Sequence, residues 1–321
     1  MPDLLRNLLL ALLLSAAPFV SASEQTVCPP PPVSPTPNEI QNAMSHAKDR
    51  GFLWRISKDG RDSYLYGTIH VARFEWMFPG PRVKQAMMGS EVLALELDMM
   101  DPDIRQRMAQ SMSTIARAFS HALPPALTAR LRKQADASCL PYDSIAAYPG
   151  ELQLISITLM KARMDGLESA YAIDAVLAGL GHAAKKQVIS LETPESQLAT
   201  LQQDDAHASM RYLETSLEEM ESGKDREQLR HIARIWAESD DADLARYPEW
   251  CECMDTPEQR KFMHKLLEER NPVLAERIDA QHLSGKRVFA AVGSLHMFGD
   301  GGLPTLMSQR GYRVEQIRFP P

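Results

Sequence analysis

Four apolar runs, each closing on a histidine or a glutamate, constrain this chain more tightly than anything else in it. Residues 63–69 lead into His70, the run 91–98 carries Glu96 near its end, 186–191 leads into Glu192, and 287–292 leads through Gly293-Ser294-Leu295 into His296. Runs of this length and apolarity read as strands, and the near-continuous apolarity of 287–292 marks a strand covered on both faces. Two of the endings repeat one motif, Gly67-Thr68-Ile69-His70 and Gly293-Ser294-Leu295-His296. A glycine three residues before the histidine lets the strand bend, or lets a ligand or another backbone come close.

The remaining segments frame these runs. A strand at 52–56 and the turn signal Asp59-Gly60 make a hairpin with 63–69. A short helix is expected at 38–49 and another at 82–88. Apolar residues recur at three- and four-residue spacing through 102–119, 128–137, 151–164 and 170–184, and polar helices follow to about residue 238. Thr193-Pro194-Glu195 has the cap, the proline and the acidic residue that start a helix. A helix over 257–283 is expected to break at Pro272. The expected class is α/β, with a mixed, largely parallel central sheet from the N- and C-terminal blocks. A large helical middle region, about 102–283, is inserted in a single domain spanning 38–321.

The strand endings carry the chemistry. If the four strands are parallel neighbours, their C-terminal ends share one edge, which is where open α/β sheets bind ligands. Any one of these residues alone reads as a satisfied polar side chain; the repeated arrangement is what makes a site. Two imidazoles and two carboxylates suit a divalent metal, Mn, Co or Zn. The expected ligands are His70, His296 and Glu192, with Glu96 and Glu192 as the catalytic carboxylates; the sequence leaves open which is ligand and which is base. Thr68 and Ser294 are expected behind them, bonded to a carboxylate or a water. No His-Glu-x-x-His, Gly-x-Ser-x-Gly or Gly-x-x-x-x-Gly-Lys string occurs.

The N-terminus reads as an export signal over 1–22: Arg6, the apolar stretch 8–14, then Val20-Ser21-Ala22 before a cut. The apolar stretch is too short to span a bilayer, so no stable membrane span is expected once it is removed. A proline-rich linker fills 23–37. Export to a periplasmic or extracellular space permits disulfides, and Cys28, Cys139, Cys251 and Cys253 allow three pairings. Cys251 and Cys253 stand two apart, which suits separate bridges better than one between them. The net charge of −7 argues against nucleic acid as a partner.

With these residues in hand, the sequence resembles the TraB/PrgY/GumN family over roughly residues 50–318. The resemblance is carried by Phe52-Leu53-Trp54-Arg55, Tyr66 to His70, Leu95-Glu96, Leu191-Glu192-Thr193 with Gln197, Arg270-Asn271, Val292 to His296, Gly302-Leu303-Pro304 and Gly311-Tyr312. It implies an α/β core shared with erythromycin-esterase-like and ChaN-like proteins. From the TIKI branch of the family, described as metal-dependent proteases, it implies Mn or Co chemistry on a peptide or on a small ester or amide. His70 and His296 match the paired motif histidines, and Glu96 and Glu192 the acidic positions. Arg270 and Asn271 match a polar pair expected to hold substrate. The alternative implied is an envelope protein that binds peptide, haem or metal without turnover.

Overall fold

The computed structural model describes residues 28–30, 35–118 and 123–319; the expected signal segment and most of the linker lie outside the described residues. Six strands form one sheet: β1 (Phe52–Lys58), β2 (Arg61–Thr68), β3 (Val92–Leu95), β4 (Gln187–Ser190), β5 (Val288–Gly293) and β6 (Arg313–Ile317). Their order is β4-β3-β5-β2-β1-β6. The first four of that order are mutually parallel, and β1 is antiparallel to both β2 and β6. The class read from the sequence is the class observed.

Local chemistry explains the pairing. Asp59 and Gly60 both take positive φ, 52° and 74°, the conformation a two-residue hairpin needs between β1 and β2. Every residue of β3 is buried, as is all of β5 except Gly293. Successive strand side chains face opposite ways, so both faces of the sheet are covered there. β4 departs from expectation. Its four residues are exposed or half-buried because it is the edge strand.

Fourteen α-helices are present among the described residues. The N-terminal block holds α1 (Pro37–Ser45) and α2 (Pro81–Gly89). The middle holds α3 (Pro102–Ala118), α4 (Pro125–Ala137), α5 (Gly150–Ala162), α6 (Ile173–Ala183), α7 (Pro194–Thr200), α8 (Ala206–Ser222) and α9 (Lys224–Glu238). Then come α10 (Asp241–Ala245), α11 (Tyr247–Trp250), α12 (Pro257–Leu266), α13 (Asn271–Leu283) and α14 (Leu303–Gln309). The break expected at Pro272 falls before it, over 267–270, and the proline serves the first turn of α13. The main core wraps the sheet with α6 and α13, while Leu131, Ile157, Leu213 and Leu217 of α4, α5 and α8 form a second core. None of the described helices is long and apolar enough to cross a membrane.

The cysteine expectation is corrected. Cys28 pairs with Cys139, and Cys251 pairs with Cys253. The turn after α11 brings the Cα atoms of Cys251 and Cys253 to 5.1 Å, within disulfide reach, despite their separation of only two. The first bridge ties the segment ahead of α1 to the end of α4, and Arg163 also donates to the carbonyl of Pro30 at 2.8 Å.

Between α8 and α12, Gln259 donates to Glu219 at 2.6 Å. Burial raises the Glu219 pKa to about 7 against that hydrogen bond, helped by Glu252, Asp225 and Asp255. A carboxyl raised on folding favours the folded state below its unfolded pKa of about 4.3. That contribution is lost as pH rises through the folded value. Glu219→Gln is therefore expected to stabilise the protein at pH ~8 and, the effect fading as pH falls through ~7, to do so much less at pH ~4. Denaturant unfolding at both pH values checks this, and an equal effect at the two contradicts it.

Candidate active site at the strand ends

Parallel pairing of β4, β3, β5 and β2 sets four C-terminal ends side by side, and the backbone ladder continues past the strands. The Leu191 N–H donates to the Leu95 carbonyl at 2.7 Å, and that of Glu192 to the Glu96 carbonyl at 3.0 Å. Glu96 and Glu192 are thereby held next to each other, each only 8% exposed. Thr193 fixes the exit from β4 as well, through a reciprocal capping pair with Ser196 at 3.2 Å each way.

Between the two carboxylates lies Arg270, delivered by the break between α12 and α13. Its Nε and Nη2 grip Glu192 at 2.8 and 2.5 Å, and Nη2 also reaches Glu96 at 2.6 Å. The third nitrogen, Nη1, donates to the Leu266 carbonyl at 3.0 Å and to Nε2 of His296 at 3.2 Å. The other oxygen of Glu96 accepts the Gly293 N–H at 2.7 Å, while the Gln197 amide comes within 3.5 Å of the oxygen that Arg270 holds.

Each histidine is oriented through its Nδ1. His296, 4% exposed, donates from Nδ1 to Oδ1 of Asn271 at 2.6 Å, and the Asn271 amide in turn donates to Gly301 at 2.8 Å. That network assigns the tautomer and leaves Nε2 as the unprotonated acceptor of the Arg270 Nη1 contact. Asn271 was expected on the substrate side; both ends of its amide are used inside the protein. His70, with its side chain 57% exposed, directs Nδ1 to Asp174 of α6 at 3.2 Å. Asp174 was not singled out from the sequence, because an acidic residue in the first turn of a helix is already accounted for by the helix dipole.

The motif glycines have separate reasons. A Cβ on Gly293 would stand 3.3 Å from Oε1 of Glu96, 3.6 Å from Nε2 of His70 and 3.7 Å from Cδ2 of His296. Three candidate ligands thus face the space that this missing side chain leaves, and the glutamate among them is Glu96 rather than Glu192. A Cβ on Gly67 would come within 2.9 Å of the Ser294 hydroxyl and 3.2 Å of its Cα, so Gly67 permits close packing of the two motifs. Ser294 uses that approach to donate to the Thr68 carbonyl at 2.8 Å. It locks motif to motif rather than serving a carboxylate. The Thr68 hydroxyl is buried without a partner. Elsewhere His182, His231 and His264 pair with Asp98, Asp243 and Glu268, and His282 is buried against Ser63.

The electrostatics follow from this crowding. Burial opposes ionisation of Glu96, but His296, His70, Arg270 and the Gly293 N–H together hold its pKa down at about 2. Burial lowers the His296 pKa to about 4, reinforced by Arg270 and His70 against the pull of Glu96. The protein atoms around His70 disfavour its charged form, yet Asp174 and Glu96 outweigh them and raise it above the ordinary value. Burial likewise works against the Arg270 charge and is overcome by Glu192 and Glu96.

Residues 52–316 match the sequence pattern of the TraB/PrgY/gumN family, which takes in β1 to β5, all but the last residue of β6, and all four strand-end residues. The chain belongs to the TraB/PrgY/gumN family. A curated protein of Danio rerio named metalloprotease TIKI1 is 24% identical over 309 residues, covering 82% of this chain and 62% of that protein. The chain therefore spans less than two thirds of the relative's length. No solved structure shows significant similarity. Among the described residues no three His, Cys, Asp or Glu side chains stand ready as a metal-ligand group. The donor chemistry nevertheless suits one: two imidazoles steered by oxygen acceptors at Nδ1, a carboxylate beside them, and the open cradle over Gly293.

The two glycines should respond differently to alanine. Gly67→Ala forces the motifs apart and is expected to cost about 1–3 kcal/mol. Gly293, at φ −49° and ψ 139°, takes alanine in an allowed conformation with one tight contact, 3.3 Å to the Glu96 carboxylate, and none to backbone, so a smaller loss, about 1 kcal/mol or less, is expected. Equilibrium unfolding of both variants checks the difference, and equal losses would refute the assignment.

Proposed function

We propose that this chain is a metal-dependent hydrolase acting on peptides, in a compartment outside the cytosol. The convergence of His70, Glu96 and His296 on the Gly293 cradle carries the reading. Charge supports it. Among the described residues the ion pairs of Glu96, Glu192 and Asp174 hold one permanent cation, Arg270 on the two glutamates, an excess of negative charge that a divalent ion would neutralise. The relative named a metalloprotease supports the reaction class, and two disulfides with the apolar N-terminal stretch support export.

His70 and His296 would hold the ion through Nε2, with Glu96 as the carboxylate ligand. A divalent metal there supplies Lewis acidity to a peptide carbonyl and makes water easier to ionise. Asp174 and Asn271 keep both imidazoles turned to present Nε2. Glu192 takes a proton at its carboxylate and passes it to the leaving amine. Arg270, its N–H groups engaged by Glu192, Glu96, Leu266 and His296, brings its positive charge near the place where negative charge develops on oxygen. A binder without turnover competes with this reading, and the observation in its favour is that Arg270 already satisfies both carboxylates.

The purified protein is expected to bind about one Mn, Co or Zn ion. His70→Ala/His296→Ala should abolish that binding, and Glu192→Gln should keep it while lowering turnover about 10²–10⁴-fold. Metal titration by calorimetry and a peptide-hydrolysis panel with added Mn or Co measure both. Metal binding undiminished in the double histidine variant would sink the proposal; a metal-binding protein with no turnover on any peptide leaves the binder.

A further inference from the structure

A groove of about 290 Å³ opens between α9 and the short helical turn Phe74–Trp76 that follows His70. Ala233 and Ala237 form its floor on α9, where side chains this small leave room for a ligand. Arg73, Arg230 and Arg234 line it together with Trp76. Two carboxylates, Asp165 and Glu238, also reach it, and Arg234 is already paired with Glu238 at 3.1 Å and with Asp243 at 3.4 Å, which leaves Arg73 and Arg230 as the cations available to a ligand. Asp165 is already gripped by Arg226 at 2.7 and 2.9 Å, so Arg230 at 3.1 Å is its second cation. Among the described residues Arg73 has no carboxylate partner; its guanidinium lies 5.6 Å from the Trp76 ring centre. A locally positive groove on a chain of net charge −7 would repel a long polyanion while still accepting a short anionic segment.

The groove is mechanically joined to the strand-end site. Trp236, on the inner side of α9 and 1% exposed, donates from its indole to the Gly67 carbonyl at 2.9 Å. The Gly51 N–H donates back to the Trp236 carbonyl at 2.9 Å. Arg73 follows His70 by three residues, a span of at most about 11 Å along the chain.

We infer that this groove is a docking site for an acidic stretch of the peptide substrate, its carboxylates paired by Arg73 and Arg230 and its side chains laid on Trp76. Arginine forks recognise carboxylates in bidentate fashion, and clusters of them read acidic motifs. The short path to His70 keeps the groove near the strand ends, so that one extended peptide reaches both. As a statement about substrate it rests on the hydrolase reading; as a statement about binding it does not.

The test is fluorescence anisotropy on the full chain, using a labelled ten-residue peptide rich in Asp and Glu and its Asn/Gln counterpart. The acidic peptide should bind, and raising salt from about 50 to about 500 mM should weaken it strongly. Arg73→Glu and Arg230→Gln should each weaken it about tenfold or more with unchanged thermal unfolding, and Arg73→Lys should restore part of the loss. The Asn/Gln peptide should not bind. Equal affinity for the two peptides, indifference to both substitutions, or preference for inorganic phosphate or single-stranded DNA over the acidic peptide would overturn the inference. Arginine-dependent binding without cleavage in added Mn or Co would remove the hydrolase and leave the docking site. Cleavage whose kcat/KM ignores Arg73→Glu would do the reverse.

Discussion

Two carboxylates held side by side and almost buried repel each other, and the fold around the strand ends is arranged to keep one guanidinium between them. The register of β3 against β4 creates the problem, because the ladder runs on through Glu96 and Glu192 and leaves them no room to diverge. Arg270 resolves it with three contacts shorter than 3 Å. Removing one partner from such a buried set costs several kcal/mol, typically about 3–5, since the others are left without compensation. The turn between α12 and α13 is thus more than a helix break: it is the device that returns a cation from the helical region to the edge of the sheet.

That arrangement also divides the work between the two parts of the chain. The sheet supplies the groups that face the Gly293 cradle: His70, Glu96 and His296. The helices supply what orients or balances them: Asp174 from α6, Arg270 and Asn271 from the start of α13. A parallel sheet gives precise spacing between strand ends but no side chains behind them, so the orienting partners have to come from the crossovers. The large helical middle is where crossover chain becomes available for that purpose.

What was legible in the sequence follows the same division. The strands announce themselves by continuous apolarity, and each candidate residue stands just past the end of its strand, so the shared edge could be read once parallel neighbours were assumed. The orienting partners carry no such mark. Asp174 looks like any acidic residue opening a helix, and only the fold shows that the N-terminus of α6 meets the loop after β2. Arg270 and Asn271 were visible through family resemblance alone, which pointed them at substrate rather than at Glu96, Glu192 and His296. The edge position of β4 and the Cys251–Cys253 bridge were misread for one reason. Exposure and turn geometry are set by neighbours in space, to which spacing along the chain is blind.

The glycine motifs show how sequence symmetry can hide unequal roles. Gly67 and Gly293 precede their histidines by the same three residues, and β2 and β5 are adjacent and in register, Thr68 beside Gly293. Yet the missing side chain serves backbone packing at Gly67 and opens the site at Gly293. Trp236 breaks the symmetry further by binding only the Gly67 carbonyl, which couples the first motif to α9 while the second is coupled to α13 through Asn271. Each half of the site is therefore braced by a different helix. A shift of α9 would be felt at His70, and a shift of α13 at Arg270 and His296, so the two histidines are coupled to different parts of the molecule although they face one point.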